Sequence, residues 1–293
     1  MPSIAFDRNA IDLIIPTRRP AAFGIELLQE AARSRDWMRH HFIFVFDADQ
    51  QAAERRLKEW VQTHHSNMAL PQVTTCFAPA ASKGNLSALR QQGLNLGKNP
   101  FVYFQDDDDP LPTGLNRRVT LMQNEDWDAV YGVTETYSSR GLLIERFPTL
   151  DSHGNYLYNV ARGMQLFPTY AHPLAALFRR RVFDATPYAD GNRYTLADSG
   201  SFVTRLLTAK GKMTALPDRI RVARQHTDNV SAPIMDEAQA TALAADIANW
   251  LPTLKDETIL AFQQNIHDEL LAGTITTFRD IDARIEEALE LED

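Results

Sequence analysis

Four consecutive carboxylates directly follow a short apolar run in the stretch FVYFQDDDDPLP, residues 101–112. Unit charges 4 Å apart repel by about 1 kcal/mol in water and by roughly 4 kcal/mol at the effective dielectric of a protein cleft. In an extended backbone Asp106 and Asp108 would point to one side and Asp107 and Asp109 to the other. An Asp-x-Asp pair could then hold a hard divalent cation, Mn²⁺ or Mg²⁺, together with waters and the phosphates of a nucleotide.

A second interpretation of the acidic run needs no ligand. The four carboxylates could form a solvated turn, with Asp109 as the N-cap of a helix that begins near Pro112. The position of the run at the end of an apolar strand favours the metal site.

The first half of the chain alternates short apolar runs with amphipathic stretches, which is the pattern of strand-helix units in a mainly parallel sheet. The runs are nearly all apolar, as expected of strands covered by helices on both faces. The sequence predicts strands at 11–16, 41–47, 72–77 and 101–104, and helices at 22–35, 50–65 and 85–97.

Polar residues follow the predicted strands at the edge where an open α/β sheet binds its ligands. We expect these residues to converge with the acidic run in one cleft. They are Thr17, Arg18 and Arg19 after the first strand, and Asp47 and Asp49 after the second.

The second half of the chain is less regular. The sequence predicts a hairpin within 128–147, a strand running into a helix at 175–184, a helix at 199–211 and a strand at 219–226. The arginine run 179–181 predicts a solvated basic face. A shift to Ala-, Leu- and Glu-rich helical sequence predicts two units, 1–232 and a C-terminal helical segment 233–293, which could also serve oligomerisation.

Composition limits the class of protein. The chain has 293 residues, 44% of them hydrophobic and 23% charged, and its net charge is −8, which argues against a general nucleic-acid or membrane binder. The single cysteine, Cys76, excludes an internal disulfide framework and is typical of a core thiol. No stretch is long and apolar enough for a membrane span or a signal peptide, and we expect a cytoplasmic protein.

Several of these segments together resemble family 2 glycosyltransferases of the GT-A fold, over roughly residues 10 to 231. The resemblance implies a Rossmann-like mixed, mainly parallel sheet flanked by helices. The matching segments are IDLIIPTRRP, FIFVFDADQ, SKGNLSALRQQGLNLGKNPFVYFQDDDD and RQHTDNVS.

The resemblance also implies a site for a nucleotide-diphosphate sugar. Departures from the family pattern at Arg18, Arg19, Ala48 and Gln91 leave the identity of the base open. The implied residues are Pro16 and Thr17 over the base, Asp47 at the uracil or ribose, Lys83 and Arg90 near base and phosphates, Asp106 at the ribose, and Asp108 and His226 on the metal. We also expect Arg18, Asp107 and Arg224 to bind the nucleotide sugar, with Arg224 placed to pair with phosphate oxygens.

The family takes its general base from a Glu-Asp pair that opens a helix on the acceptor side. In the matching stretch TLADSGSFVTRLLTAKG, Asp198 is the only carboxylate, so it is our candidate for the base. Direct attack by the activated hydroxyl would invert the anomeric centre. The alternative is that Asp198 only caps the helix that follows.

The sequence thus favours a metal-dependent inverting glycosyltransferase that uses a nucleotide sugar, most simply a UDP sugar. Its hydroxyl acceptor could be a glycan, a lipid-linked glycan or a modified nucleobase in DNA. Two alternatives stay open: a nucleotidyltransferase of related topology, and a non-catalytic binding or scaffold protein that kept the fold. The lack of a Gly-rich loop after the first strand disfavours the nucleotidyltransferase. The lone Asp198 and the altered PTRRP segment motivate the non-catalytic protein.

Overall fold

The structure is a computed structural model that describes residues 7–18, 20–80, 84–138, 140–147, 162–163, 166–167, 173–188, 202–203, 205–207, 209–224 and 235–290. The strands are β1 (Ile11–Thr17), β2 (His41–Phe46), β3 (Gln72–Phe77), β4 (Phe101–Phe104), β5 (Ala129–Tyr137), β6 (Leu143–Phe147), β7 (Ala176–Arg179) and β8 (Met213–Arg224). The α-helices are α1 (Ala21–Ala31), α2 (Gln51–His64), α3 (Leu86–Leu96), α4 (Leu115–Asn124), α5 (Arg181–Ala185), α6 (Glu237–Trp250), α7 (Glu257–Leu271) and α8 (Phe278–Glu290).

The strands form one eight-stranded sheet in the order β3-β2-β1-β4-β7-β5-β6, and β8 pairs with β5. The first four strands are parallel, β7 runs antiparallel to both β4 and β5, and β6 forms an antiparallel hairpin with β5. The mainly parallel first half and the predicted hairpin are therefore confirmed.

The central strands are buried throughout because helices cover both faces of the sheet. Leu89 and Leu94 of α3 contribute to the apolar cluster on one side, while Leu28 of α1, Leu57 of α2 and Val119 of α4 contribute to the cluster on the other. Strand β3 differs from the expectation, since its residues are partly or fully exposed. It is the edge strand, which explains why QVTTCF is less apolar than the other three runs.

The three C-terminal helices pack around a third apolar cluster. Helix α6 begins with a capping box between Asp236 and Gln239. The N-cap of α7 is Asp256, whose side chain accepts from two backbone N–H groups. The cluster also includes Leu166 and Phe167 from the preceding part of the chain. Among the helices described, none combines the length and apolar composition that a bilayer crossing requires.

The arginine run 179–181 is not the solvated face that the sequence predicts. Arg179 donates from Nε to the Trp127 carbonyl over 2.7 Å, and Arg180 donates from Nε to the Asn99 carbonyl over 2.6 Å. Arg180 also forms an ion pair with the fully buried Asp12. Only Arg181 of the three is exposed, since backbone carbonyls at the amino-terminal end of the sheet bind the side chains of Arg179 and Arg180.

Candidate functional site

The carboxyl ends of β1, β2 and β4 lie side by side and bring their polar residues together, as the sequence predicts. The Asp47 N–H donates to the Thr17 carbonyl over 3.3 Å, and the Gln105 N–H donates to the Ile14 carbonyl over 3.0 Å. Pro16 and Thr17 are buried in β1, where Pro16 pairs with Val45. The edge of the sheet therefore carries the first-strand loop, Asp47 and the acidic run in one place.

The acidic run forms a turn after β4 rather than continuing as extended strand. The Asp109 N–H donates to the Asp106 carbonyl over 3.3 Å, and the Gln105 amide donates to the carbonyls of Asp106 and Asp109 over 2.8 and 3.0 Å. The predicted alternation of the four side chains is therefore wrong, because a turn brings the first and last carboxylates to the same side. The helix predicted near Pro112 begins at Leu115, and its N-cap is Gly114 instead of Asp109.

Arg221 of β8 lies against both ends of this turn. Its Nη2 donates to Asp106 Oδ2 over 2.9 Å and its Nε donates to Asp109 Oδ2 over 2.9 Å. The Arg224 N–H donates to Asp109 Oδ1 over 3.0 Å. The partly buried guanidinium of Arg221 thus offsets part of the repulsion between Asp106 and Asp109.

Burial raises the pKa of Asp109 to about 6, against the opposing effect of Arg221 and with a further contribution from Asp106. Burial disfavours the charged form of Arg221, yet Asp109 and Asp106 outweigh it and raise the pKa of the guanidinium. Arg221 therefore stays protonated and acts as a fixed positive charge.

Arg90 of α3 approaches Asp106 from another direction. Its Nη2 is 3.5 Å from Asp106 Oδ1, and its Nη1 donates to the Tyr188 hydroxyl over 3.1 Å. The guanidinium also lies over the rings of Phe104 and Tyr188, 5.9 and 5.7 Å from their centroids. Burial opposes the charge of Arg90, but Tyr188 and Asp106 leave its pKa raised.

Arg18 and Asp47 form the third part of the cleft. Arg18 Nε lies 3.5 Å from Asp47 Oδ2, which accepts from the Gly84 N–H over 2.9 Å. Three buried polar atoms here, Nε and Nη2 of Arg18 and Oδ1 of Asp47, have no hydrogen-bond partner in the described part of the chain. Burial lowers the pKa of Arg18, with Asp47 opposing and Arg90 adding to the effect. Such a site suits a ligand that carries both an anionic group and a donor.

The described residues of the implied site thus gather at one edge: Pro16, Thr17, Arg18, Asp47, Arg90, Asp106, Asp107, Asp108 and Arg224. Asp107 is buried and Asp108 is partly buried within the acidic turn, while the Arg224 side chain is exposed. Three predicted residues, Lys83, Asp198 and His226, lie outside the described residues.

Tyr188, which binds Arg90 through its hydroxyl, packs against a second aromatic residue. The Tyr188 and Phe202 rings stack with centroids 4.9 Å apart. Tyr188 is held at its backbone by Gln91, whose side chain accepts its N–H over 2.8 Å, and at its hydroxyl by Arg90. Tyr188 therefore lies next to the arginine that contacts Asp106.

The sequence did not single out Arg221 or Tyr188. Arg221 is one of several arginines in RIRVARQH, and its selection depends on how β8 is registered against β5. Tyr188 follows an irregular stretch without a motif. The hydrophobic periodicity of the sequence gives no indication of either residue.

The charges and donor atoms of the acidic turn suit a divalent cation. The four carboxylates lie within one turn, in which Asp106 and Asp109 contact the guanidinium groups of Arg90 and Arg221. Carboxylate oxygens are the ligands that Mg²⁺ and Mn²⁺ prefer. Among the described residues no group of three His, Cys, Asp or Glu side chains forms a complete metal site. A cation here would need ligands from the nucleotide, from water or from outside those residues.

No known protein-family profile and no curated protein sequence matches the chain. Solved structures do match. A mannosyltransferase, PcManGT from Pyrobaculum calidifontis in complex with GDP-Man and Mn²⁺, is 16% identical with a TM-score of 0.61, over 89% of this chain and 72% of that one.

A fragment of S. aureus TarS, residues 1–349, is 16% identical with a TM-score of 0.58, over 88% of this chain and 71% of that one. The same fragment in complex with UDP-GlcNAc is 17% identical with a TM-score of 0.57, over 88% and 72%. These likenesses show that the chain has the GT-A-like glycosyltransferase fold that the sequence predicts.

Proposed function

We propose that the chain is a glycosyltransferase that moves a sugar from a nucleotide-diphosphate sugar, most simply a UDP sugar, to a hydroxyl acceptor. The observation that carries the proposal is the convergence of Arg18, Asp47, Arg90 and the acidic turn at the carboxyl edge of a GT-A-like sheet. Proteins of similar structure were solved with GDP-Man and with UDP-GlcNAc.

The cleft offers separate groups for separate parts of the donor. The buried N–H groups of Arg18 suit a phosphate oxygen, and Asp47 Oδ1 suits a ribose hydroxyl or an N–H of the base. Arg90 adds a fixed positive charge beside Asp106. The residues that follow β1 and β2 thus bind the nucleotide, while the acidic turn faces its diphosphate.

Mn²⁺ or Mg²⁺ fits the carboxylate oxygens of the acidic turn, with Asp108 as the proposed ligand and His226 as a further candidate. When bound, the ion would stabilise the negative charge that develops on the leaving diphosphate. Arg90 and Arg221 hold Asp106 and Asp109 in place without the ion. The turn is therefore preorganised by the protein itself.

The proposed reaction is a single displacement. The acceptor oxygen forms a bond to the anomeric carbon as the bond from that carbon to the diphosphate oxygen breaks, and the nucleoside diphosphate leaves with the electron pair. Asp198 is the proposed base that takes the hydroxyl proton. Attack opposite the leaving group inverts the anomeric configuration.

The test is turnover of a panel of UDP and GDP sugars with and without Mn²⁺. We expect release of nucleoside diphosphate that depends on the metal and is lost in Asp108→Ala. NMR of the glycosylated product would show an inverted anomeric centre. Metal-independent turnover, or unchanged turnover in Asp108→Ala, would contradict the proposal.

A non-catalytic binding protein is the second candidate. Asp198 lacks the neighbouring carboxylate of the family pattern, and PTRRP departs from it. That protein would bind nucleotide sugars without turning over any of them on any acceptor.

A further inference from the structure

Strand β8 does not follow β5 in regular register. Tyr131 pairs with Ala215 and Val133 pairs with Arg219, so that two steps along β5 correspond to four along β8. A second slip follows at once, because Thr134 pairs with Arg221. Such bulges insert extra residues into one strand and redirect the side chains that follow.

Three successive carbonyl groups in the bulged part of β8 are bound by the segment that follows the acidic turn. The Asp218 carbonyl accepts from Arg118 Nη2 over 2.8 Å. The Arg219 carbonyl accepts from Thr113 Oγ1 over 3.0 Å, and the Ile220 carbonyl accepts from the Thr113 N–H over 3.0 Å. A bulge disrupts the backbone hydrogen bonds between paired strands that these carbonyl groups would otherwise accept. Arg118 and Thr113 supply hydrogen bonds in their place.

Arg118 and Gly132 fit one another at the bulge. Arg118 is fully buried, and its Nη1 donates back to the Gly114 carbonyl at the start of α4 over 3.2 Å. A Cβ atom at Gly132 would occupy the place of Arg118 Nη2 and would lie 2.8 Å from the Asp218 carbonyl oxygen. The absence of a side chain at Gly132 thus makes room for the guanidinium that holds the bulge.

The slip determines which partners the arginines of β8 reach. Residues two apart in a regular strand point to the same face. Arg219 instead pairs with Glu135 over 3.0 Å, while Arg221 pairs with Asp106 and Asp109. The irregular register therefore separates the two side chains and delivers Arg221 to the acidic turn.

We propose that Arg118 is a positioning residue of the donor site, because its hold on the Asp218 carbonyl sets the slip that places Arg221 against Asp106 and Asp109. The role in donor binding rests on the proposed function, whereas the structural coupling between Arg118 and Arg221 does not. Arg118 is connected to the bulge through its hydrogen bonds to the Asp218 and Gly114 carbonyls.

A double-mutant cycle tests the coupling without any ligand. Arg118→Met, Arg221→Met and the double variant are unfolded in urea, and the shifts of the denaturation midpoint are compared. If Arg118 places Arg221, the denaturation midpoint of the double variant falls by less than the sum of the two single-variant shifts. The reason is that Arg118→Met alone already removes Arg221 from its position against the acidic turn. A midpoint shift in the double variant that equals the sum of the two single-variant shifts would overturn the proposal.

Arg179→Met is the matched control for the cycle. Arg179 also donates to a backbone carbonyl, that of Trp127, and to a carbonyl of α4, but at the opposite end of the sheet. The shift of the denaturation midpoint in Arg179→Met should add to the shift in Arg221→Met. If Arg118→Met does not fold, Thr113→Val replaces it, because this variant removes a single hydroxyl hydrogen bond to the same bulge.

A binding titration with UDP and Mn²⁺ tests the consequence for the donor site. We expect Arg118→Met to weaken affinity by about tenfold and Arg118→Lys by less, while Arg179→Met leaves it unchanged. Equal affinities in Arg118→Met and Arg179→Met would overturn the role in donor binding. A wild-type chain that binds no nucleoside diphosphate would instead contradict the proposed function, and the unfolding cycle would still decide the coupling.

Discussion

At the scale of single residues, Arg18 gives the most specific prediction for the donor site. Its Nε and Nη2 are buried and have no hydrogen-bond partner among the described residues. A hydrogen bond from a charged donor contributes about 1.5–3 kcal/mol. We therefore expect Arg18→Met to weaken nucleoside diphosphate binding by about ten- to hundredfold, measured by calorimetry.

Arg55→Met is the control, because Arg55 is an exposed arginine of α2. It should leave the affinity unchanged. Equal binding by wild type and Arg18→Met would remove Arg18 from the proposed phosphate contacts.

His40 gives a prediction about pH at the same scale. Burial, and then the neighbouring Arg39, lower its pKa from 6.5 to about 4, and its Nδ1 accepts from the Ile11 N–H over 3.2 Å. The folded state therefore keeps His40 neutral while the unfolded state takes up a proton below pH 6.5. This contribution to stability is present above that pH and is lost as the pH falls toward about 4.

Urea unfolding at about pH 7.5 and about pH 5 checks this effect, which should lower the free energy of unfolding by about 2 kcal/mol at the lower pH. His40→Asn can keep an acceptor near Ile11 without titrating, so its free energy of unfolding should fall less over the same range. His65→Asn, at an exposed position, should behave as wild type. An identical fall in His40→Asn would show that His40 does not titrate as described.

At the scale of elements, the amino-terminal end of the sheet holds a buried charge network that is separate from the cleft. Asp12 of β1 is fully buried, pairs with Arg180 after β7, and accepts from the Asn99 N–H over 3.0 Å. Removing one partner of a buried ion pair leaves an uncompensated charge and costs about 3–5 kcal/mol. We expect this loss in the free energy of unfolding of Arg180→Met.

Arg181→Met is the neighbouring control, since Arg181 forms exposed pairs with Asp126 and Asp128 and its removal should cost about 1 kcal/mol or less. Chemical denaturation of both variants makes the comparison. Nucleotide affinity should not change in Arg180→Met, because the network lies at the other end of the strands. Similar losses in the two variants would contradict the account of Arg180.

The regular elements could be predicted from sequence because their signals are local. The apolar runs of β1, β2 and β4 and the periodicity of α1 to α3 are fixed by burial on both faces of the sheet. The conformation of the acidic run could not be predicted from sequence, since hydrogen bonds from Gln105 and from Arg221 form its turn. Arg221 depends in turn on a bulge set by Arg118 and Gly132, residues far away in sequence.

At the scale of the whole molecule, the C-terminal helices are joined to the rest of the chain through a shared apolar cluster. The Phe167 ring lies 6.2 Å from that of Trp250, and Phe167 is fully buried. Removing a buried phenylalanine costs about 3–5 kcal/mol. We expect Phe167→Ala to destabilise the C-terminal helices, which hydrogen exchange of the α6 and α7 amides would detect as faster exchange.

Leu271→Ala is the control for this prediction, because Leu271 is 58% exposed at the end of α7. Its exchange rates should match those of wild type. Unchanged protection of α6 and α7 in Phe167→Ala would show that these helices are stable without the shared cluster.

The central claim is that the cleft at the carboxyl edge of the sheet binds a nucleoside diphosphate together with a divalent cation. A calorimetric titration of UDP into the chain, with and without Mn²⁺, tests it most directly, with Asp108→Asn as the site variant and the exposed Asp126→Asn as control. We expect binding that requires Mn²⁺, is kept in Asp126→Asn and is lost in Asp108→Asn. Binding that is equal in both variants and independent of Mn²⁺, or no binding by the wild-type chain, would contradict it.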